Sequence, residues 1–135
     1  MSSEIGFFRK TLSIFEKYII NIEHTPTGLD MCGVIVSEEQ ASKHIHNIMA
    51  EISATLNAEV TLELDIALVA CVGRNMIGHP GICAAIFKIL GEQQINVKMI
   101  AQSPDEHNII VGISSDRYAD AISALYEGLC AENIL

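Results

Sequence analysis

The sequence predicts an α+β protein made of two βαββαβ modules, each with two helices on one face of an antiparallel sheet. Three observations support this fold class. Segments with apolar side chains at helical spacing alternate with short extended segments. The order of these segments repeats along the chain, and 135 residues with 50% hydrophobic content can bury a real core. Together they indicate two small ferredoxin-like modules in one chain.

Four amphipathic helices are predicted, each with one apolar stripe. In chain order they cover residues 8–17, about 38–56, a segment that begins near Pro80, and residues 118–129. Ser37 and Asp116 stand just before the second and fourth helices, where short polar side chains cap free N–H groups. Proline at the start of the third helix is well tolerated in a first turn.

Six short segments are predicted to be strands. They are rich in branched apolar residues or alternate apolar with polar residues, which favours extended structure. In chain order they cover residues 20–24, 34–36, 60–64, 66–72, 95–100 and 109–113. Turn-forming residues follow the first and the fifth of these strands, at 25–28 and 103–105.

The same order of elements occurs twice, and the two copies align without a gap over their first half. Aligning Gly6 with Gly81 sets the offset at 81 − 6 = 75 residues. The matched pairs are Leu12 with Phe87, Ile14 with Ile89, Ile20 with Ile95, Asn21 with Asn96, Ile22 with Val97, and residues 34–36 with 109–111. So many apolar matches in one register indicate an internal repeat.

The repeat divides the chain into a first domain over residues 1–64 and a second over 65–135. The first has no strand before its helix, and the second has only residues 131–135 after its last helix. A sheet that lacks an edge strand exposes unpaired N–H and C=O groups. We therefore expect a fragment of a longer protein that forms a homodimer.

The charge of the chain limits its partners. It has 17 acidic and 8 basic side chains and a formal net charge of −9. Nucleic-acid phosphates and anionic membranes attract lysine and arginine, so neither is an expected partner. No segment has the length of a membrane span or the pattern of a signal peptide. The four cysteines show no paired spacing, and we expect core thiols in a cytoplasmic protein.

Several segments resemble the ACT domain, a module that senses small molecules, most often amino acids. They are GFFRK from Gly6, IFEKY from Ile14 and EHTPTGLD from Glu23 in the first copy, and VGRNM from Val72, HPGI from His79, INVKMIAQS from Ile95 and ALYEGL from Ala124 in the second. The tandem pair resembles the C-terminal regulatory region of aspartate kinases. The resemblance implies feedback inhibition by an end product of aspartate-family biosynthesis, lysine or threonine.

The resemblance implies that the kinase activity belongs to a catalytic domain elsewhere in the parent chain. That catalytic domain would be a partner of this region. A kinase needs a phosphate-binding segment rich in glycine and lysine, and the sequence contains no G-x-x-x-x-G-K-[ST] motif. Its carboxylates and five histidines do not show the spacing of metal ligands. We expect no catalytic residues, no metal and no cofactor.

The first copy holds the candidate effector site. The free N–H groups of a helix N-terminus suit the carboxylate of an amino acid, and Gly6 lets a ligand approach them without a Cβ in the way. The resemblance implies that Glu23, on the following strand, faces the ammonium group. It also implies that the pocket is lined by Glu4, Phe7, Phe8, Asn21, Ile22 and Thr27.

The second copy differs in charge at one position. Gly81 again begins a helix, but Lys98 stands where the first copy has Glu23, and its charge would repel an ammonium group. We expect this copy to be structural, to form dimer contacts, or to bind a ligand in another manner. The residues concerned are Met76, His79, Gly81, Ile82, Asn96 and Val97.

Two alternatives remain open from the sequence. In the first, Gly6 is only a helix entry and Glu23 a solvated strand residue. In the second, the chain is a free-standing ACT module for amino-acid binding or protein interaction, without a kinase. An enzyme of ferredoxin-like fold is disfavoured because no nucleophile–base pair is recognisable.

Overall fold

The computed structural model describes residues 5–29, 31–73, 76, 78–102 and 108–132. The helices and strands, in chain order, are α1 (Phe7–Lys17), β1 (Ile22–His24), β2 (Ile35–Val36), α2 (Glu38–Ala41), α3 (Ile45–Leu56), β3 (Ile66–Val72), α4 (Ile82–Glu92), β4 (Val97–Gln102), β5 (Asn108–Ser114) and α5 (Tyr118–Ala131). The chain folds as two compact units, Met1–Leu62 and Glu63–Leu135, called here the first and the second unit.

The first unit has one small core between its helices and a two-stranded antiparallel sheet. β1 and β2 pair through Ile22 with Val36 and His24 with Ile35, and α1 packs against α3. The buried apolar residues are Ile14, Phe15, Ile20, Ala41, Ile48, Ile52 and Leu56. The apolar stripes predicted for the helices therefore face the same core.

The second unit has a three-stranded antiparallel sheet in the order β3-β5-β4. α4 packs against α5, and α5 packs against β3. The buried core residues are Val69, Cys71, Met76, Ile82, Ile86, Leu90, Ile95, Ile109, Val111, Ile113, Ala121, Leu125 and Leu129. Since both helices contribute to the core on one face of the sheet, the predicted α+β arrangement is confirmed.

The internal repeat is reproduced in the backbone. α1 and α4 each have 11 residues and lie 75 positions apart at both ends (82 − 7 and 92 − 17). Two positions after each helix, Ile19 and Gln94 adopt positive φ values of 58° and 56°. The next residues, Ile20 and Ile95, are buried and donate their N–H groups to the carbonyl five positions back. This arrangement ends both helices in the same way.

The strand that follows each of these helices contains a bulge at the same place. The pairing register shifts across residues 22–24 in the first unit and across 97–99 in the second. The extra residues are Glu23 and Lys98, which differ in charge between the copies. A bulge bends its strand and re-aims the side chain of the extra residue.

The strand pairing corrects the predicted alignment of β2 in the first unit with β5 in the second. Ile22 pairs with a residue 36 − 22 = 14 positions later, whereas Val97 pairs with one 113 − 97 = 16 positions later. The connection is two residues longer in the second unit, so the offset changes there from 75 to 77. The predicted match of residues 34–36 with 109–111 is therefore wrong by two positions.

The single helix predicted over residues 38–56 is two helices, α2 and α3. The chain tightens between them, where the His44 N–H donates to the Ala41 carbonyl three residues back at 2.9 Å. Ser37 stands at the N-cap of α2, but its side chain makes no cap hydrogen bond. Asp116 lies inside a 3-10 turn before α5 and is not its cap.

The strand predicted over residues 60–64 is also wrong. Within the described residues no backbone segment pairs with it, only Val60 packs against the first core, and residues 61–64 are exposed. A strand needs a neighbour for its hydrogen bonds, so branched composition alone does not form one. The other five predicted strands form, with ends shifted by two residues or fewer. The turn predicted at 103–105 lies outside the described residues.

The cysteines differ from one another in burial. All four are free thiols, and only Cys71 lies in a core. Burial raises the pKa of the Cys71 thiol and, in the same way, that of half-buried Cys32. Cys83 and Cys130 are exposed on helices, which corrects the expectation that all four pack as core residues.

Candidate functional site

Two helix entries, one in each unit, have the same backbone geometry. Gly6 and Gly81 directly precede α1 and α4, with φ values of 77° and 90°. Residues with a Cβ rarely adopt this left-handed conformation, so both positions favour glycine. Glycine has no side chain to cap the helix, which leaves the first-turn N–H groups open to an anion.

A cleft of about 350 Å³ opens at the N-terminus of α4 in the second unit. Residues from the loop before α4, from its first turn and from the end of β4 meet there. They are Met76, Gly78, His79, Pro80, Gly81, Ile82, Cys83 and Gln102. The volume lies at the lower end of the range for small-molecule pockets.

The cleft contains four of the six residues that the sequence predicts for the second copy, namely Met76, His79, Gly81 and Ile82. The other two do not line it. Asn96 is exposed just before β4, and Val97 packs against the core of the second unit.

Four lining residues are absent from the predicted set: Gly78, Pro80, Cys83 and Gln102. The repeat carried a signal for two of them. At an offset of 75, Cys83 is the counterpart of Phe8 and Gln102 the counterpart of Thr27, and both counterparts belong to the predicted first-unit site. The counterparts of Phe8 and Thr27 in the second copy therefore belong to the predicted site as well.

The same offset relates the second-unit cleft to the first-unit site. The counterparts of His79, Gly81, Ile82, Cys83 and Gln102 are Glu4, Gly6, Phe7, Phe8 and Thr27. These are five of the eight residues predicted to bind the effector. Glu4 lies outside the described residues.

The predicted first-unit residues Phe7, Phe8 and Thr27 differ in their exposure to solvent. Phe7 is half-buried against the first core, whereas Phe8 is 43% exposed. Thr27 is exposed and forms an isolated antiparallel bridge with Cys32. Two of these side chains are thus accessible to a ligand.

The strand side of the predicted site comes from β1 and the residue before it. The Asn21 N–H donates to Oε1 of Gln40 at 3.2 Å, which fixes the backbone at the start of the strand. Ile22 is half-buried against the core and Glu23 is exposed. The anchored residue Asn21 therefore lies two positions before the accessible carboxylate of Glu23.

The two bulge residues have different partners. No hydrogen bond or ion pair joins Glu23 to any other described residue. Lys98 has one, since its Nζ lies 3.8 Å from Oε2 of Glu63. The carboxylate of the first unit is therefore free to accept a cation, while the ammonium of the second unit already has an anionic partner.

A small ionic cluster lies at the opposite end of α1 from its glycine entry. Lys17 Nζ donates to Glu51 Oε1 at 3.0 Å, and the Tyr18 hydroxyl donates to Glu51 Oε2 at 3.1 Å. The hydrogen bond from Lys17 lowers the pKa of Glu51, and the bond to Glu51 raises the pKa of Lys17 and of Tyr18. The cluster ties α1 to α3.

Among the described residues, no group of three or more histidine, cysteine, aspartate or glutamate side chains is placed to hold a metal ion. Nor is any helix in the described part of the chain long and apolar enough to cross a membrane.

The sequence and the fold of the chain are both similar to those of known proteins. Residues 69–129 match the ACT domain. The chain is similar to aspartokinase 3 of Bacillus subtilis, with 33% identity over 129 residues, 94% of this chain and 28% of that protein. It is also similar to the aspartate kinase of Clostridium acetobutylicum, with 32% identity and a TM-score of 0.93, over 97% of this chain and 30% of that chain.

A third comparison concerns the fold alone. The regulatory subunit of aspartate kinase from Thermus thermophilus, in its ligand-free form, has 23% identity and a TM-score of 0.82, over 93% of this chain and 84% of that chain. These matches cover nearly the whole of this chain. The chain itself spans only about a quarter of the length of most of the curated relatives. Residues 69–129 therefore form an ACT domain, and the chain as a whole is similar to the regulatory ACT region of aspartate kinases.

Proposed function

We propose that the chain binds an amino-acid end product, lysine or threonine, and transmits feedback inhibition to the catalytic domain of an aspartate kinase. In this proposal residues 1–64 form the first ACT domain and residues 65–135 the second. The working form is a cytoplasmic homodimer that contains no catalytic site of its own. The effector binds in the first domain.

One observation carries the proposal: the two units share a helix entry and a bulge, but carry opposite charges at the bulge. An effector amino acid presents a carboxylate and an ammonium group. The glycine entries supply N–H groups for the carboxylate in both units. Only the first unit has a carboxylate at the bulge, Glu23, and it lacks a partner among the described residues.

The remaining predicted residues complete the proposed pocket. Phe7, Phe8 and Ile22 provide apolar walls, and Asn21 and Thr27 provide polar groups near the mouth. Glu4 corresponds to His79 of the second unit, which lines the cleft there. The cleft of the second unit supports this pocket because it forms at the matching residues.

Inhibition requires the effector to bind one arrangement of the regulatory region more tightly than another. The chain itself needs no catalytic groups for that role. We therefore expect the purified chain to show no ATP-dependent phosphorylation of aspartate. Aspartyl phosphate above a buffer control would contradict the non-catalytic part of the proposal.

Calorimetric titration of lysine and threonine tests the proposed site. Replacing Glu23→Gln keeps the size and hydrogen-bonding capacity of the side chain but removes its charge. Hydrogen bonds to charged groups contribute about 1.5–3 kcal/mol, so the affinity should fall about ten- to a hundredfold. The thermal stability of the fold should change little, because Glu23 is exposed.

Lys98→Gln is the matched control, since it neutralises the bulge residue of the other unit. Its affinity for the effector should equal that of the wild type. Unchanged affinity in Glu23→Gln together with lost affinity in Lys98→Gln would move the site to the second unit. Absence of heat and of thermal shift with both amino acids would refute effector binding by the chain.

A further inference from the structure

The two halves of the proposed effector site lie on either side of a turn in the chain. α1 provides the Gly6 entry, and β1 provides the Glu23 carboxylate. The carboxylate and the ammonium group of an amino acid are bonded to the same carbon, so a ligand that contacts both halves is sensitive to their spacing. Binding groups need to stand within about 0.5 Å of their productive positions. The angle between α1 and β1 therefore bears directly on affinity.

The turn between α1 and β1, residues 17–21, is called here the corner. Ile19 adopts φ 58° although it is β-branched, and its side chain is 91% exposed. Ile20 is buried, and its N–H donates to the Phe15 carbonyl at 3.1 Å. A β-branched residue in the left-handed region is strained and persists only where its surroundings hold it. The corner therefore depends on contacts with other elements.

Glu51 of α3 provides such contacts with both of its carboxylate oxygens. Lys17 Nζ donates to Oε1 at 3.0 Å, and the Tyr18 hydroxyl donates to Oε2 at 3.1 Å. The Tyr18 ring also lies against the ring of His44, with the centroids 5.4 Å apart. His44 and Glu51 are seven residues apart, which corresponds to about two helical turns. Contacts at two levels of α3 fix both the position and the rotation of the corner.

The N-terminal end of α1 is held less firmly than the rest of the helix. The buried residues of α1 are Thr11, Ile14 and Phe15, in the middle and the C-terminal half. In the first turn, Phe7 is half-buried and Phe8 is 43% exposed. A helix of 11 residues is about 16 Å long. A tilt of about 4° at the corner therefore moves the glycine entry by about 1 Å.

The second unit holds the matching corner by a different contact. Arg117, at the N-cap of α5, donates from Nη2 to the Gln93 carbonyl at 3.0 Å. Gln93 follows α4 directly and is the counterpart of Tyr18 at the 75-residue offset. In each unit the corner is thus joined to the helix that packs beside it, α3 or α5. The contact is made between side chains in the first unit and with the backbone in the second.

We propose that Glu51 is a positioning residue of the effector site. By holding Lys17 and Tyr18, it fixes the angle between α1 and β1. That angle sets the spacing between the glycine entry and the Glu23 carboxylate, and Glu51 itself does not touch the ligand. The inference rests on the effector site of the proposed function and deepens it, because it assigns control of affinity to a residue outside the pocket.

Calorimetric titration of lysine and threonine into Glu51→Ala tests this role. Alanine is the best helix former, so α3 stays formed while both hydrogen bonds to the corner are lost. The affinity should fall about tenfold, the lower end of what the loss of an outer-shell partner costs at metal sites. Circular dichroism confirms that the variant is folded.

Three conservative variants make the result independent of one substitution. Lys17→Met and Tyr18→Phe each lose one of the two bonds to Glu51, so each should weaken effector binding by less than Glu51→Ala does. Lys17→Arg keeps the cation and should bind the effector as tightly as the wild type. If Glu51→Ala does not fold, wild-type affinity in both Lys17→Met and Tyr18→Phe would refute the positioning role.

Arg117→Met is the matched control, because it removes the contact at the corner of the second unit. Methionine keeps an unbranched apolar side chain but has no N–H donor. The affinity for the effector should equal that of the wild type. Equal weakening by Arg117→Met and Glu51→Ala would mean that the affinity reports a general loosening of the chain, which would overturn the assignment to Glu51.

A double-mutant cycle with Glu23→Gln separates positioning from a merely structural role. If Glu51 acts by placing the Glu23 carboxylate against the ligand, Glu51→Ala should cost clearly less affinity once that charge is gone. Losses that simply add would show that Glu51 acts independently of Glu23, and they would contradict the proposal.

The same titrations distinguish this proposal from the proposed function. A wild type that binds an effector, together with unchanged affinity in a folded Glu51→Ala, refutes the positioning role and leaves the effector site intact. A wild type that binds neither amino acid refutes the proposed function, and the positioning role falls with it.

Discussion

The two units share one backbone plan but differ in core size and in charge. Helices α1 and α4, the ends of these helices and the bulges that follow them coincide at an offset of 75 residues. The larger core has 13 buried apolar residues in the second unit, against 7 in the first, among the residues described. Among the described residues, the bulge carboxylate Glu23 of the first unit has no partner, whereas the bulge residue Lys98 of the second unit forms an ion pair. The comparison shows that a few side chains can give one backbone framework a different charge and a core of different size.

The difference in packing extends to matched positions of the helices. Ile86 is fully buried in the second unit, whereas its counterpart at the 75-residue offset, Thr11, is a buried polar residue. The Thr11 hydroxyl donates to the Phe7 carbonyl at 2.9 Å, which satisfies the hydroxyl within its own helix. This bond lies next to Gly6, at the end of α1 where the effector site is proposed.

Truncation of matched core residues should give the largest effects. Leu90→Ala should lower the free energy of unfolding of the second unit by about 2–5 kcal/mol, and Phe15→Ala that of the first by about 3–5 kcal/mol. Both residues are buried, at 0% and 5% exposure. Hydrogen exchange, read separately in α1 and α4 during urea titration, measures each unit.

Because its core is smaller, we expect the first unit to lose protection at lower urea in the wild type. Each truncation should shift protection mainly in its own unit. Equal loss of protection in both helices after either substitution would show that the units unfold as one cooperative body, and the comparison of separate cores would fail.

The helix entries should show the same stability cost but different effects on binding. Gly6→Ala and Gly81→Ala each force a residue with a Cβ into a left-handed conformation, which costs about 1 kcal/mol. Neither new Cβ meets a close neighbour, since the nearest atom is Arg9 Nε at 4.0 Å from Gly6. Thermal unfolding measures the strain, and calorimetry should show weaker effector binding only for Gly6→Ala.

Equal weakening of effector binding by both glycine substitutions would place a ligand-sensitive element in the second unit as well. Gly91→Ala is a suitable control for the substitution itself. Gly91 lies in α4 with open space around it and has no positive φ, so alanine there should stabilise the helix slightly.

The smallest effect concerns the pH dependence of the first unit. The hydrogen bond from Lys17 lowers the pKa of Glu51 in the folded state. The stabilisation of the fold by ionised Glu51 is therefore present above the unfolded-state pKa of Glu51, and it is lost as the pH falls through the folded-state pKa. In Glu51→Gln, the first unit should no longer lose this contribution to its stability when the pH falls. Unfolding of the variant and the wild type, followed by circular dichroism between neutral and acidic pH, measures the difference.

The second unit provides the internal control for this prediction. The counterpart of Lys17 at the 75-residue offset is Glu92, so the second unit cannot form the same pair at that position. Protection of α4 should respond to acid equally in the wild type and in Glu51→Gln. A changed response in α4 would mean that the cluster acts beyond the first unit.

Much of this architecture follows from the sequence because it depends on local patterns. Helical periodicity placed both ends of α1 and the start of α4 to within one or two residues, and the internal repeat identified two related modules. Gly6 and Gly81 stand out in the sequence because a helix entry with positive φ favours glycine. The charge difference between Glu23 and Lys98 is likewise legible without a structure.

Pairing and packing between distant segments required the tertiary structure. Which backbone segments lie side by side decides the longer connection in the second unit and the bulges at Glu23 and Lys98. The same holds for segment 60–64, which has no strand partner among the described residues. The break between α2 and α3 depends on a hydrogen bond three residues back at His44. The cleft joins Gln102 to a helix some twenty residues earlier in the chain. Periodicity reports the face that one segment buries, whereas strand register and clefts arise from contacts between segments, so only the fold decided them.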